Sequence, residues 1–132
     1  MKPDIENRDD IQLLVDAFYA KVRTDEIIGY LFNDVAKVNW ATHLPRMYDF
    51  WENVLFQTGN FSGNPMVAHY QLHQKSPLTA GHFSQWQKLF LATVDEFFEG
   101  EKAELAKQRA LSISAMIQWK VIAGGDKGPL SP

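Results

Sequence analysis

The 132 residues contain no cysteine. That absence excludes iron–sulfur clusters, thiolate-ligated or thioether-attached cofactors and cysteine zinc sites. Histidine is the soft ligand that remains, at positions 43, 69, 73 and 82. Long hydrophobic runs are also missing: no stretch approaches the roughly eighteen apolar residues of a membrane span. The opening Met1-Lys2-Pro3-Asp4-Ile5-Glu6 has no signal-type apolar core, so the chain reads as cytoplasmic and off the membrane. Thirteen Lys and Arg stand against sixteen Asp and Glu, a formal charge of -3 with no basic run, which speaks against nucleic acid as a partner. No G-x-G-x-x-G motif for a flavin or nicotinamide is present, and no repeat or low-complexity tract appears.

What is present is an ordinary globular balance, 45% hydrophobic and 22% charged, at the length of one domain over residues 1–132. A chain of this size buries roughly two-thirds of its unfolded surface, so its core needs no disulfide or structural metal. Helical periodicity dominates. Ile11, Leu14, Val15, Phe18, Tyr19 and Val22 share one face of a helix predicted over 8–23, with Asp9 and Asp10 at its start. Thr24-Asp25-Glu26 is expected to cap a short helix from Ile27 to Phe32 that Asn33-Asp34 ends, with Tyr30, Leu31 and Phe32 facing inward. Pro45 is tolerated only in a first turn, which points to Thr42 as the next N-cap. From there His43, Met47, Phe50, Trp51 and Val54 fall at i, i+4, i+7, i+8 and i+11, and the helix is expected to end near Thr58.

Residues 59–65 hold the densest cluster of turn formers and break the pattern. A short helix, 65–72, then carries His69. After a loop over 74–79, a helix from Thr79 or Ala80 to about Glu99 presents Phe83, Trp86, Phe90, Val94 and Phe97. A last helix, 101–123, carries Leu105, Ile113, Met116, Ile117 and Trp119 before Gly124-Gly125, beyond which a frayed tail is expected. No strand signal of comparable length exists. The reading is all-α: long helices, short connectors and one loop-rich middle segment.

By composition alone each histidine is more often a surface or core residue than a ligand. The spacing His69-x3-His73 could place a metal pair on one helix face, but it lacks the third ligand that zinc would want. His43 and His69 lie on either side of the turn-rich segment, a placement that lets them approach a flat cofactor from opposite faces.

The chain resembles the group III truncated haemoglobins over nearly its whole length. The matching pieces are Phe18-Tyr19, Leu31-Phe32-Asn33, the run His43-Leu-Pro-Arg-Met-Tyr-Asp-Phe-Trp51, Gly63-Asn64-Pro65 to His69, and His82-Phe83 followed by Trp86. Their order and spacing together are more specific than any piece. The resemblance implies a truncated globin fold, a two-over-two helical sandwich in which a loop replaces most of the usual proximal helix. It implies non-covalent haem b with iron held by His69, with His73 as a rival one turn away. It implies a distal polar trio, Tyr19, His43 and Trp86, able to donate hydrogen bonds, whose alternative is plain core packing. Phe32 matches the phenylalanine that wedges against the haem; Met47, Phe50, Trp51, Val54 and Phe83 would line the apolar wall. Arg46 matches a residue that reaches a propionate, with a solvated surface charge as its alternative, and His82, just before Phe83, is a further candidate neighbour of a propionate.

Two functions compete. One is reversible binding of dioxygen, carbon monoxide or nitric oxide. The other is a haem enzyme, a peroxidase or nitric oxide dioxygenase, using the same donors and drawing electrons from a separate reductase. A helical interaction module without cofactor would leave Tyr19, His43 and Trp86 facing inward without a reason. The assembly is expected to be a monomer or weak dimer.

Overall fold

The computed structural model describes residues 1–59, 61 and 65–122, and the described residues form helices and connectors with no strand. Helix α1 spans Arg8–Thr24. Asn7 starts it by accepting from the Asp10 N–H (3.0 Å), and Asp9 and Asp10 complement the positive helix end. The stripe Ile11, Leu14, Val15, Phe18, Tyr19 and Val22 is buried, as its spacing predicts.

The short helix expected over 27–32 takes another form. The Asp25 carboxylate accepts from the Ile27 and Ile28 N–H groups, each at 2.9 Å, and residues 26–28 wind into a turn. Leu31–Val35 then forms one π-helical turn, closed by the Ala36 N–H on the Leu31 carbonyl (2.8 Å). Asn33 and Asp34 therefore sit inside this turn instead of ending a helix. Leu31 is buried and Phe32 half-buried, but Tyr30 is exposed, with its hydroxyl 3.2 Å from His82 Nε2.

Helix α2, Trp40–Phe56, begins before the expected Thr42. The Asn39 side chain accepts from the Ala41 N–H (3.1 Å), while the Thr42 hydroxyl donates back to the Asn39 carbonyl. Pro45 consequently lies inside the helix. Its missing N–H would have met the Ala41 carbonyl, and Ala41 is exposed, so water can take that place. Gln57, in the left-handed conformation at φ 56°, ends the helix.

Helix α3 is Pro65–Lys75, α4 is Ala80–Phe97 and α5 is Glu101–Val121. Most of the turn-rich segment 59–65, and the tail expected to fray, lie outside the described residues. Thr79 starts α4 with a reciprocal box: its hydroxyl accepts from the His82 N–H (3.2 Å), and His82 Nδ1 accepts from the Thr79 N–H (3.1 Å).

Helix α1 packs on α2 and α4 on α5, while α1 meets α4 and α2 meets α5 across the two pairs. The four helices thus close a two-over-two sandwich, the arrangement that the resemblance implies. Helix α3 lies against α5 and the π-helical turn. At the centre, Phe90 stacks between Trp51 (4.7 Å, 19°) and Trp86 (5.5 Å, 5°), with Phe18 edge-on to both Phe90 and Trp86.

Of the apolar residues expected on α5, Ile117 is buried and Leu105 and Ile113 pack against the core. Ala103, Ala106, Ala110, Ser114, Ile117 and Val121 face the core, whereas Met116 and Trp119 are each 53% exposed. Small side chains let α5 approach α4 closely, so the inward stripe is not marked by large apolar residues alone.

Candidate functional site

Three elements bring the polar candidates together. Tyr19 comes from the inward face of α1, Phe32 from the π-helical turn and His43 from the first turns of α2. The Tyr19 ring lies 5.2 Å from His43, nearly perpendicular to it, and 6.0 Å from Phe32. Trp40 completes the group at 5.4 Å from Tyr19, 5.6 Å from His43 and 6.2 Å from Phe32. Trp86 joins through Phe18, whose ring is 4.9 Å from Tyr19 and 5.4 Å from Trp86.

The electrostatics of this cluster favour neutral groups. Burial pushes the Tyr19 phenol well above its ordinary pKa of 10.0, so the hydroxyl keeps its proton. Burial, then the charges of Arg46 and His69, lower the pKa of His43 from 6.5. That coupling places His69 within electrostatic reach of His43. His43 Nε2 is buried and has no hydrogen-bond partner among the described residues. Such an atom costs about 1–3 kcal/mol when nothing satisfies it, and so points to a ligand position.

The other histidines are engaged elsewhere. His73 Nδ1 accepts from the Leu78 N–H (2.8 Å), and His82 Nδ1 belongs to the α4 capping box. In a neutral ring whose Nδ1 is an acceptor, Nε2 carries the proton and has no lone pair for a metal. His69, half-buried on α3, is the histidine whose charge reaches His43.

The apolar candidates divide into core and rim. Trp51 and Phe83 are buried, 3% and 7% exposed, and Trp51 is committed to the Phe90 stack. Met47, Phe50 and Val54 are half-buried along α2, with Phe50 edge-on to Phe61 (5.1 Å). Arg46 is exposed, its guanidinium 5.5 Å from the Phe61 ring.

A family model described as bacterial-like globin matches residues 4–119. The chain belongs to the bacterial-like globin family. Group 3 truncated hemoglobin ctb of Campylobacter jejuni is 30% identical over 121 residues, spanning 89% of this chain and 93% of that protein. The crystal structure of group III truncated hemoglobin from Campylobacter jejuni aligns with a TM-score of 0.81 at 28% identity, covering 95% of this chain and 98% of that one. This globin is therefore a haem-binding protein of the truncated type.

Sequence reasoning overlooked Trp40 and Arg23 in this globin. Trp40 stands three positions before His43 and so shares its helix face, but placing the N-cap at Thr42 put it outside the helix. Arg23 lies 4.8 Å over the Trp40 ring, a pairing that only the tertiary fold creates.

Proposed function

We propose that this globin binds haem b non-covalently, with His69 as the iron ligand, and takes up dioxygen, carbon monoxide or nitric oxide beside Tyr19, His43 and Trp86. The observation that carries this reading is the buried, unpartnered Nε2 of His43, whose ring lies 5.2 Å from the ring of buried Tyr19. An unsatisfied donor or acceptor is retained at that cost where a ligand will meet it. Between Glu52 and Asp95 the chain has no acidic residue, so α3 and nearly all of α4 present no carboxylate to a cofactor with two propionates. Arg46 at the rim is the cation suited to one of them.

Haem, when bound, supplies the iron that takes up a diatomic gas. The chain supplies the surroundings. His69 binds through one ring nitrogen, Tyr19 offers an O–H held protonated by its burial, and neutral His43 can donate from one nitrogen while accepting at the other. We read the whole chain as one cytoplasmic domain, a monomer or weak dimer.

The test is the visible spectrum after gel filtration. Wild type, His73→Ala and His82→Ala should keep a Soret band, whereas His69→Ala should elute without haem. A colourless His73→Ala beside a coloured His69→Ala would overturn the ligand assignment, and a wild type that takes up no haem would overturn the function.

A further inference from the structure

Trp40 has contacts of two kinds. Toward the interior it touches Tyr19, Phe32 and His43, three residues of the candidate site. Toward solvent its ring carries the Arg23 guanidinium at 4.8 Å. Arg23 is exposed and forms no ion pair among the described residues, so this aromatic face is the observed partner of its charge. Its backbone carbonyl accepts from the Asn33 side chain (2.9 Å), tying the end of α1 to the π-helical turn that carries Phe32. The order from solvent inward is Arg23, then Trp40, then Tyr19 and His43.

The chain around Trp40 has the features of a hinge. It follows Ala36–Asn39, which has no regular structure, and Lys37 there adopts φ 51° although it is not glycine. A π-helical turn precedes this connector, and Trp40 is the first residue of α2, where backbone hydrogen bonding is thinnest. An indole anchored at such a position can swing outward without unwinding the helix behind it. Arg23, at the end of the separate helix α1, holds it inward by cation–π attraction.

We infer that Trp40 is the gate to the ligand pocket of this globin and that Arg23 is its latch. The inference rests on the gas-binding reading and adds to it a residue that sets the rate of entry and exit. It differs from the donor role of Tyr19. A gate changes a barrier, so entry and exit change together and the affinity stays; a donor changes the bound state, so exit changes alone.

Arg23→Gln removes the latch at an exposed position and leaves every core contact in place, and Trp40→Phe keeps a smaller ring. Flash photolysis and ligand-replacement kinetics of the carbon monoxide complex read association and release separately. Arg23→Gln should raise both by about twofold to fivefold, the scale of one exposed cation–π contact, with their ratio unchanged. Trp40→Phe should do the same or more. Hydrogen exchange of the haem-loaded protein, followed at the amides of residues 36–43, should quicken in Arg23→Gln and stay unchanged near Trp86. Normal spectra with unaltered rates in both variants would overturn the gate while leaving haem binding intact. A rise in dioxygen release alone would also overturn it, making Trp40 a donor. A colourless wild type would remove the parent reading and the gate with it.

Discussion

Tyr19 illustrates how much one residue carries. Its helical spacing marks it as inward-facing, and its ring is packed as a core ring would be, edge-on to Phe18 at 4.9 Å and to Phe32 at 6.0 Å. The hydroxyl is the part that packing does not require. Tyr19→Phe preserves ring volume and removes only the donor, so the fold should survive while bound dioxygen loses a hydrogen bond. Bound dioxygen draws charge toward itself and gains from a donor; carbon monoxide draws less. Loss of one charge-assisted bond of about 1.5–3 kcal/mol should raise dioxygen release by roughly ten- to a hundredfold, with a smaller change for carbon monoxide. Stopped-flow release of the two gases checks this, and equal changes for both would assign Tyr19 to steric control. Trp86→Phe serves as the companion variant, because Trp86 is linked to Tyr19 through Phe18 and its effect need not add to that of Tyr19.

At the scale of elements, the start of α5 depends on a residue nearly a hundred positions away. The Asp4 carboxylate accepts from the Lys102 and Ala103 N–H groups (2.9 and 2.8 Å), acting as the cap that Gly100 has no side chain to provide. Gly100, at φ 142°, leaves the space: an added Cβ would lie 2.6 Å from Asp4 Cγ. Asp4→Ala should lower stability in urea unfolding by about 1–2 kcal/mol, the scale of a lost N-cap, and Gly100→Ala should destabilise through both strain and collision. If Asp4→Ala unfolds at the same urea concentration as wild type, the cap is decorative. No local pattern announces a cap supplied across the chain. Other elements were legible, because α1, α4 and α5 have apolar stripes and short-range start and stop signals close to their ends. Three features were not. A π-helical turn has no spacing signature of its own, Pro45 pulled the expected start of α2 three residues too late, and the buried alanine stripe of α5 was hidden by larger apolar residues on its outer face. In the site, helical spacing put Tyr19, His43 and Trp86 inward, but nothing local linked Trp40 to Arg23.

For the whole molecule, the buried titrating groups define a pH window of stability. His43 has its pKa lowered by burial, Arg46 and His69, so the unfolded chain binds its proton more readily than the folded one. Its contribution is full above 6.5 and is lost as pH falls through the depressed folded value. Asp4 and Asp25 behave alike at lower pH. Burial opposes their charge, yet the N–H donors of Lys102 and Ala103 around Asp4, and of Ile28 and Ile27 with Gln85 around Asp25, hold both below 3.8. Their stabilisation is present above 3.8 and disappears as pH falls through their folded values. On the alkaline side the sign reverses. Tyr19 is raised by burial, and Tyr48 is pushed up to about 12 by burial and by its hydrogen bond to Asp16, so both favour the fold below pH 10.0 and cease to as pH rises through their folded values. Stability of the haem-free protein to urea should therefore be flat between about pH 7 and 9.5 and fall on either side, in two acid steps and one alkaline step. His43→Leu should delete the step that begins near 6.5 and leave the carboxylate step below 3.8, while Tyr19→Phe should shrink the alkaline step. The decisive quantity is the difference between His43→Leu and wild type. An acid profile identical in the two would mean that His43 is as readily protonated in the fold as in the open chain, and that its pocket is wet.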